Sequence, residues 1–428
     1  MDGAAIAWQP PTFREPRIYV ANASLNSCRY LAAFLIAAVS SACATATKTT
    51  PTLTEPKGFA IRLESVPAST PSGVSIYVAG NFNRWNPGDT AYRLTSDGKG
   101  NYMVALPDSI RGPIEFKFTL GSWDAVETDS AGQDIQNRNV FVKPGIKAAY
   151  VGKVAQWRDP RTLKPKEHTA RPTVSIINEE FQMRELGRTR RVWTYLPPGY
   201  SSGSVRYPVL YMHDGQNVFD NATSFVGEWG VDETLDSLNA LGDKDVIVVA
   251  VDHGGAKRFD EYSPWKNAKY GGGEGEKYVE FLVKTLKPYI DSHYRTLPDR
   301  LNTGIAGSSM GGLISLYAIV KHPEVFGRAG IFSPAFWVAP ESYTFVSQSS
   351  PLPADSRLYF VIGAQEAADS AEAATYVKGQ EQMVDSLVAH GLRRDVNVVA
   401  YSRADGKHSE WFWRREFPAA YQWLFGRK

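Results

Sequence analysis

Cysteine is nearly absent. The only two, Cys28 and Cys43, lie close to the N-terminus of a 428-residue chain. The body of the chain therefore has no disulfide framework and no thiolate metal site. It also lacks a His-Glu-x-x-His string and any His/Asp/Glu grouping at ligand spacing, so no metal or other cofactor is expected. An excess of one charge is missing too. With 47 basic and 45 acidic residues the net charge is +2, and no bulk pull toward nucleic acid is expected. The uncharged apolar run at 31–42 (LAAFLIAAVSSA) is too short to cross a bilayer comfortably.

What is present is the composition of a globular protein, 43% hydrophobic and 21% charged, long enough for two domains and a leader. Aromatics make up 12%, with 11 tryptophans, a supply suited to stacking on sugar rings as well as to filling cores. The apolar run follows Arg29 and ends in small residues, with A-x-A cleavage options at Ala44 or Ala46. That is the pattern of a signal peptide, so residues 1–46 read as a signal peptide with an upstream leader, and the chain is expected to be exported. Export leaves three destinations: periplasm, medium, or outer membrane through a lipid on Cys43. Ser40 departs from the leucine or valine that lipidation sites prefer. Residues 47–57, rich in Thr, Pro and Lys, read as a disordered linker.

Residues 58–154 read as short strands between turns: VSIYVA at 74–79, a turn at 86–89, a hairpin connection at 96–100, IEFKFTL at 114–120 and a strand at 139–142. This spacing predicts an all-β, immunoglobulin-like sandwich. Its string VAGNFNRWNP at 78–87, followed by EFKF at 115–118, Trp123 and Asn137, resembles the glycogen- and starch-binding sandwich modules. The resemblance implies that Trp85 and Trp123 are stacking platforms and that Lys117 and Asn137 hydrogen-bond sugar hydroxyls. The same module type also serves as a spacer or substrate lid, and that reading stays open. Residues 155–172, polar and punctuated by Pro160, Pro165 and Pro172, read as an interdomain linker with a solvated basic face.

Residues 173–428 alternate strands and helices, which predicts an α/β domain with a mostly parallel sheet. Continuous apolar runs at 208–212, 245–251 and 358–362 have the character of strands buried on both faces. The sequence IAGSSMGG at 305–312 contains Gly307-x-Ser309-x-Gly311 between a strand and an apolar helix. In such an elbow the chain turns so sharply that the flanking positions must be very small, and the serine hydroxyl stands exposed at a helix N-terminus. Glu366 follows a later strand and His408 the last one. Serine, acid, histidine is the order of an α/β-hydrolase. His408 would be the general base and Glu366 its orienting acid, with Asp369 and Asp405 as rivals for that place. The backbone N–H of Met310, with that of Gly215 or Gln216 in the loop after the strand at 208–212, would form the oxyanion hole.

The strings YMHDGQNVFD (211–220), Arg258 with EYSP (261–264), GSSMGG (307–312), FSPAFW (332–337) and GKHSEWFWRREFP (406–418) resemble the Putative esterase family. That family includes enterochelin-esterase-like hydrolases, feruloyl and acetylxylan esterases, and the esterase D group. Lys407 stands where the family commonly has glycine. The resemblance implies a serine carboxylic-ester hydrolase acting on acyl or feruloyl esters of polysaccharides. Arg258, Glu261 and Tyr262 are expected to line or brace the substrate pocket, and Trp229 and Trp337 to form an acyl or aryl wall. Siderophore-ester hydrolysis and acyl transfer are the near alternatives. A glycan-binding surface protein with a retired hydrolase domain is the alternative of another class.

Overall fold

The computed structural model describes residues 58–426, apart from 84, 144, 146, 160–165, 226 and 368. Residues 1–46, read from the sequence as leader and signal peptide, with Cys28 and Cys43, and residues 47–57, read as a linker, lie outside the described residues. Among the described residues no helix is long and apolar enough to cross a membrane.

Residues 59–157 form nine strands: β1 (Phe59–Ser65), β2 (Tyr77–Gly80), β3 (Thr95–Ser96), β4 (Tyr102–Ala105), β5 (Gly112–Thr119), β6 (Glu127–Thr128), β7 (Arg138–Val142), β8 (Ala148–Lys153) and β9 (Gln156–Trp157). They make sheets ordered β3-β4-β1-β8 and β2-β5-β7, with β6-β9 as a small third ribbon. Strand alternation turns Ile61 and Leu63 from one sheet, and Val78, Ile114, Phe116 and Phe118 from the other, into one buried core. The opposite face of β5 is covered as well, because residues 127–137 fold over it. Lys117 and Thr119 on that face are buried, Lys117 Nζ donating to Ile135 O and Thr119 Oγ1 to Pro87 O.

The sandwich extends past 154, into the segment expected to be linker. Trp157 belongs to the sandwich core and its Nε1 donates to Thr70 Oγ1 at 2.8 Å. The basic segment is not simply solvated either. Lys166 Nζ donates to the carbonyls of Ser224 (2.8 Å) and Phe225 (3.3 Å), and Arg171 N donates to Asp232 Oδ2 at 2.7 Å.

The second domain is built on β10 (Val174–Met183), β11 (Arg188–Tyr195), β12 (Val209–His213), β13 (Ile247–Val251), β14 (Thr303–Ser308), β15 (Arg328–Phe332), β16 (Arg357–Gln365) and β17 (Val398–Lys407). The order is β10-β11-β13-β12-β14-β15-β16-β17. β10 and β11 pair antiparallel, and the other six run parallel. β15 has no counterpart in the strands read from the sequence.

Helices cover both faces: α1 (Val231–Ala240), α2 (Arg258–Glu261), α3 (Gly275–Phe281), α4 (Lys287–His293), α5 (Met310–Lys321), α6 (Glu341–Gln348), α7 (Ser370–Ala389) and α8 (Glu410–Phe425). Period-two alternation divides each central strand between two cores. Val209 and Tyr211 of β12 face the side of α3 to α7, while Leu210 and Met212 face the side of α1 and α8. α3 and α4 are joined by a π-helical turn, Leu282–Leu286. Pro288, just inside α4, has no N–H to continue the α-helical ladder, which explains the wider turn.

Candidate active site

Ser309 leaves the carboxyl end of β14 with φ 58° and ψ −121°, a conformation costly for any side chain except glycine's hydrogen. Three hydrogen bonds hold it. Its N–H donates to Phe332 O (2.9 Å), and its carbonyl accepts from Leu313 N (3.1 Å) and Ala335 N (3.1 Å). The glycines of the elbow are required by space. A Cβ on Gly307 would lie 2.8 Å from His213 Cδ2 and 3.0 Å from Gly311 C. A Cβ on Gly311 would lie 3.3 Å from His213 Cβ. α5 begins immediately after the serine, and Met310, in its first turn, has no carbonyl within the helix to receive its N–H.

Glu366 and His408 meet because β16 and β17 come unusually close. A Cβ on Gly363 would sit 2.2 Å from Gly406 O, so only glycine fits there. Just past that crossing Glu366 Oε2 faces His408 Nδ1 at 2.5 Å. Its Oε1 accepts from Gly363 N (2.8 Å) and Ser333 Oγ (2.7 Å), and Ser333 Oγ accepts in turn from Trp413 Nε1 (2.9 Å). Trp413 stands edge-on to the His408 ring at 5.2 Å.

Burial works against the charge on Glu366, which is 7% exposed. The His408 ring and these hydrogen bonds outweigh that penalty and leave its carboxyl below the usual range. Burial likewise pulls His408 down. Glu366 outweighs it, helped by the carboxylates of Glu115 and Glu410, so His408 sits above its ordinary value. The rivals are occupied elsewhere: Asp369 caps α7 through the N–H groups of Ala371 and Glu372, and Asp405 pairs with Arg415. Phe332 of β15 lies in register with Ser308 of β14 and with Val361 of β16. Val361 lies in register with Tyr401 of β17. Ser309, Ser333, Glu366 and His408 thus all leave the same edge of four neighbouring strands.

The loop after β12 is fixed from below. Asp214, at φ 56°, receives two hydrogen bonds from Arg258 (2.6 and 2.8 Å), and its N–H donates to Tyr262 Oη at 3.1 Å. The tight turn Gly215–Asn217 follows, and a Cβ on Gly215 would strike Asp252 N at 2.9 Å. Gln216 Oε1 accepts from His253 N at 3.1 Å. His213 lies under the elbow, with Nδ1 2.9 Å from Tyr278 Oη. Burial pulls it down to about 4, so it is neutral near pH 7 and shapes the loop without titrating.

Several residues expected at a substrate wall are structural. Glu261 is fully buried and accepts from Arg188 (2.7 Å) and Arg190. Tyr262 is fully buried above Arg258, whose guanidinium is taken up by Asp214. Trp229, 3% exposed, packs among Phe332, Trp413 and Phe417. Glu261, Tyr262 and Trp229 are buried braces that do not open onto the site, and Arg258, part-buried, braces the loop after β12 through Asp214. Trp337 differs: it is 46% exposed, edge-on to Tyr270 and stacked on Tyr376.

In the sandwich, Trp85 and Trp123 are half-buried with ring centroids 6.3 Å apart, and Trp123 meets Phe225 of the α/β domain edge-on at 6.2 Å. Lys117 cannot reach a surface sugar. It is 3% exposed and its ammonium donates to Ile135 O. Asn137 Nδ2 donates to Glu115 Oε2 at 3.1 Å. Two polar residues of the site escaped sequence reasoning. Ser333 was concealed in an unrecognised strand end. Glu410 looks like an ordinary first-turn acid of α8 but is buried, and burial pushes its carboxyl up to about 7. Among the described residues no grouping of three or more His, Cys, Asp or Glu side chains is arranged to hold a metal ion.

The Esterase family model, described as "Putative esterase", matches residues 183–424, more than half of the chain. Uncharacterized protein YbbA of Bacillus subtilis is 28% identical over 245 residues, covering 56% of this chain and 93% of YbbA. An alpha-amylase of Niallia circulans is 40% identical over 95 residues, 22% of this chain and 7% of the amylase. An endo-1,4-beta-xylanase/feruloyl esterase of Xylanibacter ruminicola is 29% identical over 171 residues, 39% of this chain and 22% of that enzyme. The match thus spans nearly all of YbbA but less than a quarter of each of the other two. The elbow, the histidine–carboxylate pair and strands β11 to β17 of the sheet sit inside the matched region, and the chain belongs to the Esterase family of carboxylic ester hydrolases.

Proposed function

We propose that the chain is a serine carboxylic-ester hydrolase that cleaves acyl or feruloyl esters of carbohydrates, with Ser309, His408 and Glu366 as its triad. The observation that carries the reading is the 2.5 Å contact between Glu366 and His408 at the strand edge where Ser309 is held in a strained turn. Ser309 Oγ attacks the ester carbonyl while His408 Nε2 takes its proton. The negative charge that develops on the carbonyl oxygen is met by the N–H of Met310 and by that of Gly215 or Gln216. Collapse of the tetrahedral adduct expels the alkoxide, which takes the proton back from His408. A water then gives its proton to His408 and attacks the acyl carbon. The second tetrahedral adduct collapses, the bond from the acyl carbon to Ser309 Oγ breaks, and Ser309 Oγ takes the proton back from His408 as the acid leaves.

The substrate class rests on the aromatic residues of this edge. Phe225, Trp337 and Trp411 are each about half exposed, and they follow the carboxyl ends of β12, β15 and β17. Flat rings of this kind suit a feruloyl ring or the apolar face of a pyranose. The name of the Xylanibacter relative, a xylanase joined to a feruloyl esterase, points the same way. In the sandwich, Trp85 and Trp123 remain the residues fit to stack on a sugar, without Lys117. The 95-residue match to an amylase is the size of that module.

Ser309→Ala is expected to lower p-nitrophenyl acetate hydrolysis by about 10⁴-fold or more; burst release that survives the substitution ends the serine assignment. His408 must be neutral to act as base. Because its folded value is raised, kcat/KM should climb with pH through a midpoint above about 6.5. Glu366→Gln should move that midpoint down and cost roughly 10²- to 10⁴-fold in kcat; an unmoved midpoint contradicts the pairing. Affinity electrophoresis in soluble starch or xylan should retard the wild type, and Trp123→Ala should migrate freely. Equal mobility of the two proteins removes the sugar-stacking role.

A further inference from the structure

Asn217 closes the turn that carries the Gly215 and Gln216 amides, and it is buried. Each of its polar groups has a partner. Its N–H donates to Asp214 O at 2.8 Å, closing the turn, and its carbonyl accepts from Trp229 N at 2.8 Å. Its Oδ1 accepts from Phe225 N at 3.0 Å. Its Nδ2 donates to Glu410 Oε1 at 3.4 Å, across almost two hundred residues of sequence. Glu410 lies two residues beyond His408 and is the first residue of α8. One side chain therefore joins the turn after β12, the segment at 225–229 and the start of α8, two residues beyond His408. The chain of contacts also reaches the sandwich, since the Phe225 ring meets Trp123 edge-on and the Phe225 carbonyl accepts from Lys166.

We infer that Asn217 is a positioning residue for the reaction: through Glu410 it fixes the turn that carries the oxyanion donors relative to the His408 segment. The inference rests on the serine-hydrolase reading above and adds a residue to it. Oxyanion donors act only when they are aimed at where the charge develops, so a turn displaced by a fraction of an ångström loses transition-state binding and keeps ground-state binding. The 3.4 Å bond is the weakest of the set by length. Even so, both of its partners are buried, where separating an amide from the carboxyl it bonds is costly.

The polarity of this bond permits a swap. Asn217→Asp keeps the oxygen that receives Phe225 N but sets an acid against an acid. Glu410→Gln supplies an amide from the other side. Three proteins, N217D, E410Q and N217D/E410Q, are compared with wild type in p-nitrophenyl acetate hydrolysis and in inhibition by phenylboronic acid. The boronate forms a tetrahedral serine adduct whose oxygen occupies the oxyanion position. The expected result is a 10- to 100-fold loss of kcat in N217D, with KM within about twofold and boronate affinity reduced by the same factor as kcat. The double variant should recover most of both losses. If N217D does not fold, the double variant beside E410Q carries the test: the restored pair should leave N217D/E410Q at least as active as E410Q. Unchanged kcat in N217D, a loss confined to KM, or a double variant worse than either single overturns the inference. A wild type that boronate does not inhibit overturns the serine reading itself, and the inference with it.

Discussion

The structure depends on keeping one carboxylate charged inside the protein. Glu366 lies almost out of solvent, where an isolated carboxylate would take up a proton. It stays ionised because four groups converge on it: Gly363 N–H, the Ser333 hydroxyl, the His408 ring and, one step away, the Trp413 indole that fixes Ser333. Each comes from a different element, so assembling them requires β15, β16, β17 and α8 to be in register together. The glycine contact between Gly363 and Gly406 is what lets two strands approach closely enough for that meeting. A carboxylate held in this way orients the imidazole and stabilises its charged form, as the proposed proton transfer needs.

Much of this architecture was legible in the sequence because it depends on local rules. Apolar runs such as PVLYM and DVIVVAV have no wet side and are at home only inside a sheet, where β12 and β13 lie. The glycines at 307 and 311 were expected from the crowding of the elbow, and His213 is the neighbour that does the crowding. β15 was hidden because its sequence, RAGIF, is poor in β-branched residues. It needs small ones: a Cβ on Gly330 would lie 3.1 Å from Ala306 Cβ. Side chains that depend on distant cover were harder to read. The alternation around Lys117 said nothing of the chain that later folds over it. The motif around His408 gave no sign that Glu410 turns inward. Glu261, Tyr262 and Trp229 have the chemistry of a substrate wall, and only their burial shows them to be supports.

The two domains are joined by more than a tether. The segment leaving the sandwich is fixed to the 220–232 region by Lys166, His168, Thr169 and Arg171. Trp123 meets Phe225 in the same region. That loop continues directly from the turn proposed to hold the oxyanion donors, so it shares a run of hydrogen bonds with the segment at 166–171 and a ring contact with the sandwich.

The central claim is that the Ser309 hydroxyl, activated by His408, is the nucleophile. Covalent labelling reads this most directly. A fluorophosphonate should modify the intact protein once, and peptide mapping should place the adduct on Ser309. The labelling rate should collapse in His408→Ala. An adduct on any other residue, or labelling of Ser309 at the wild-type rate without His408, contradicts the account.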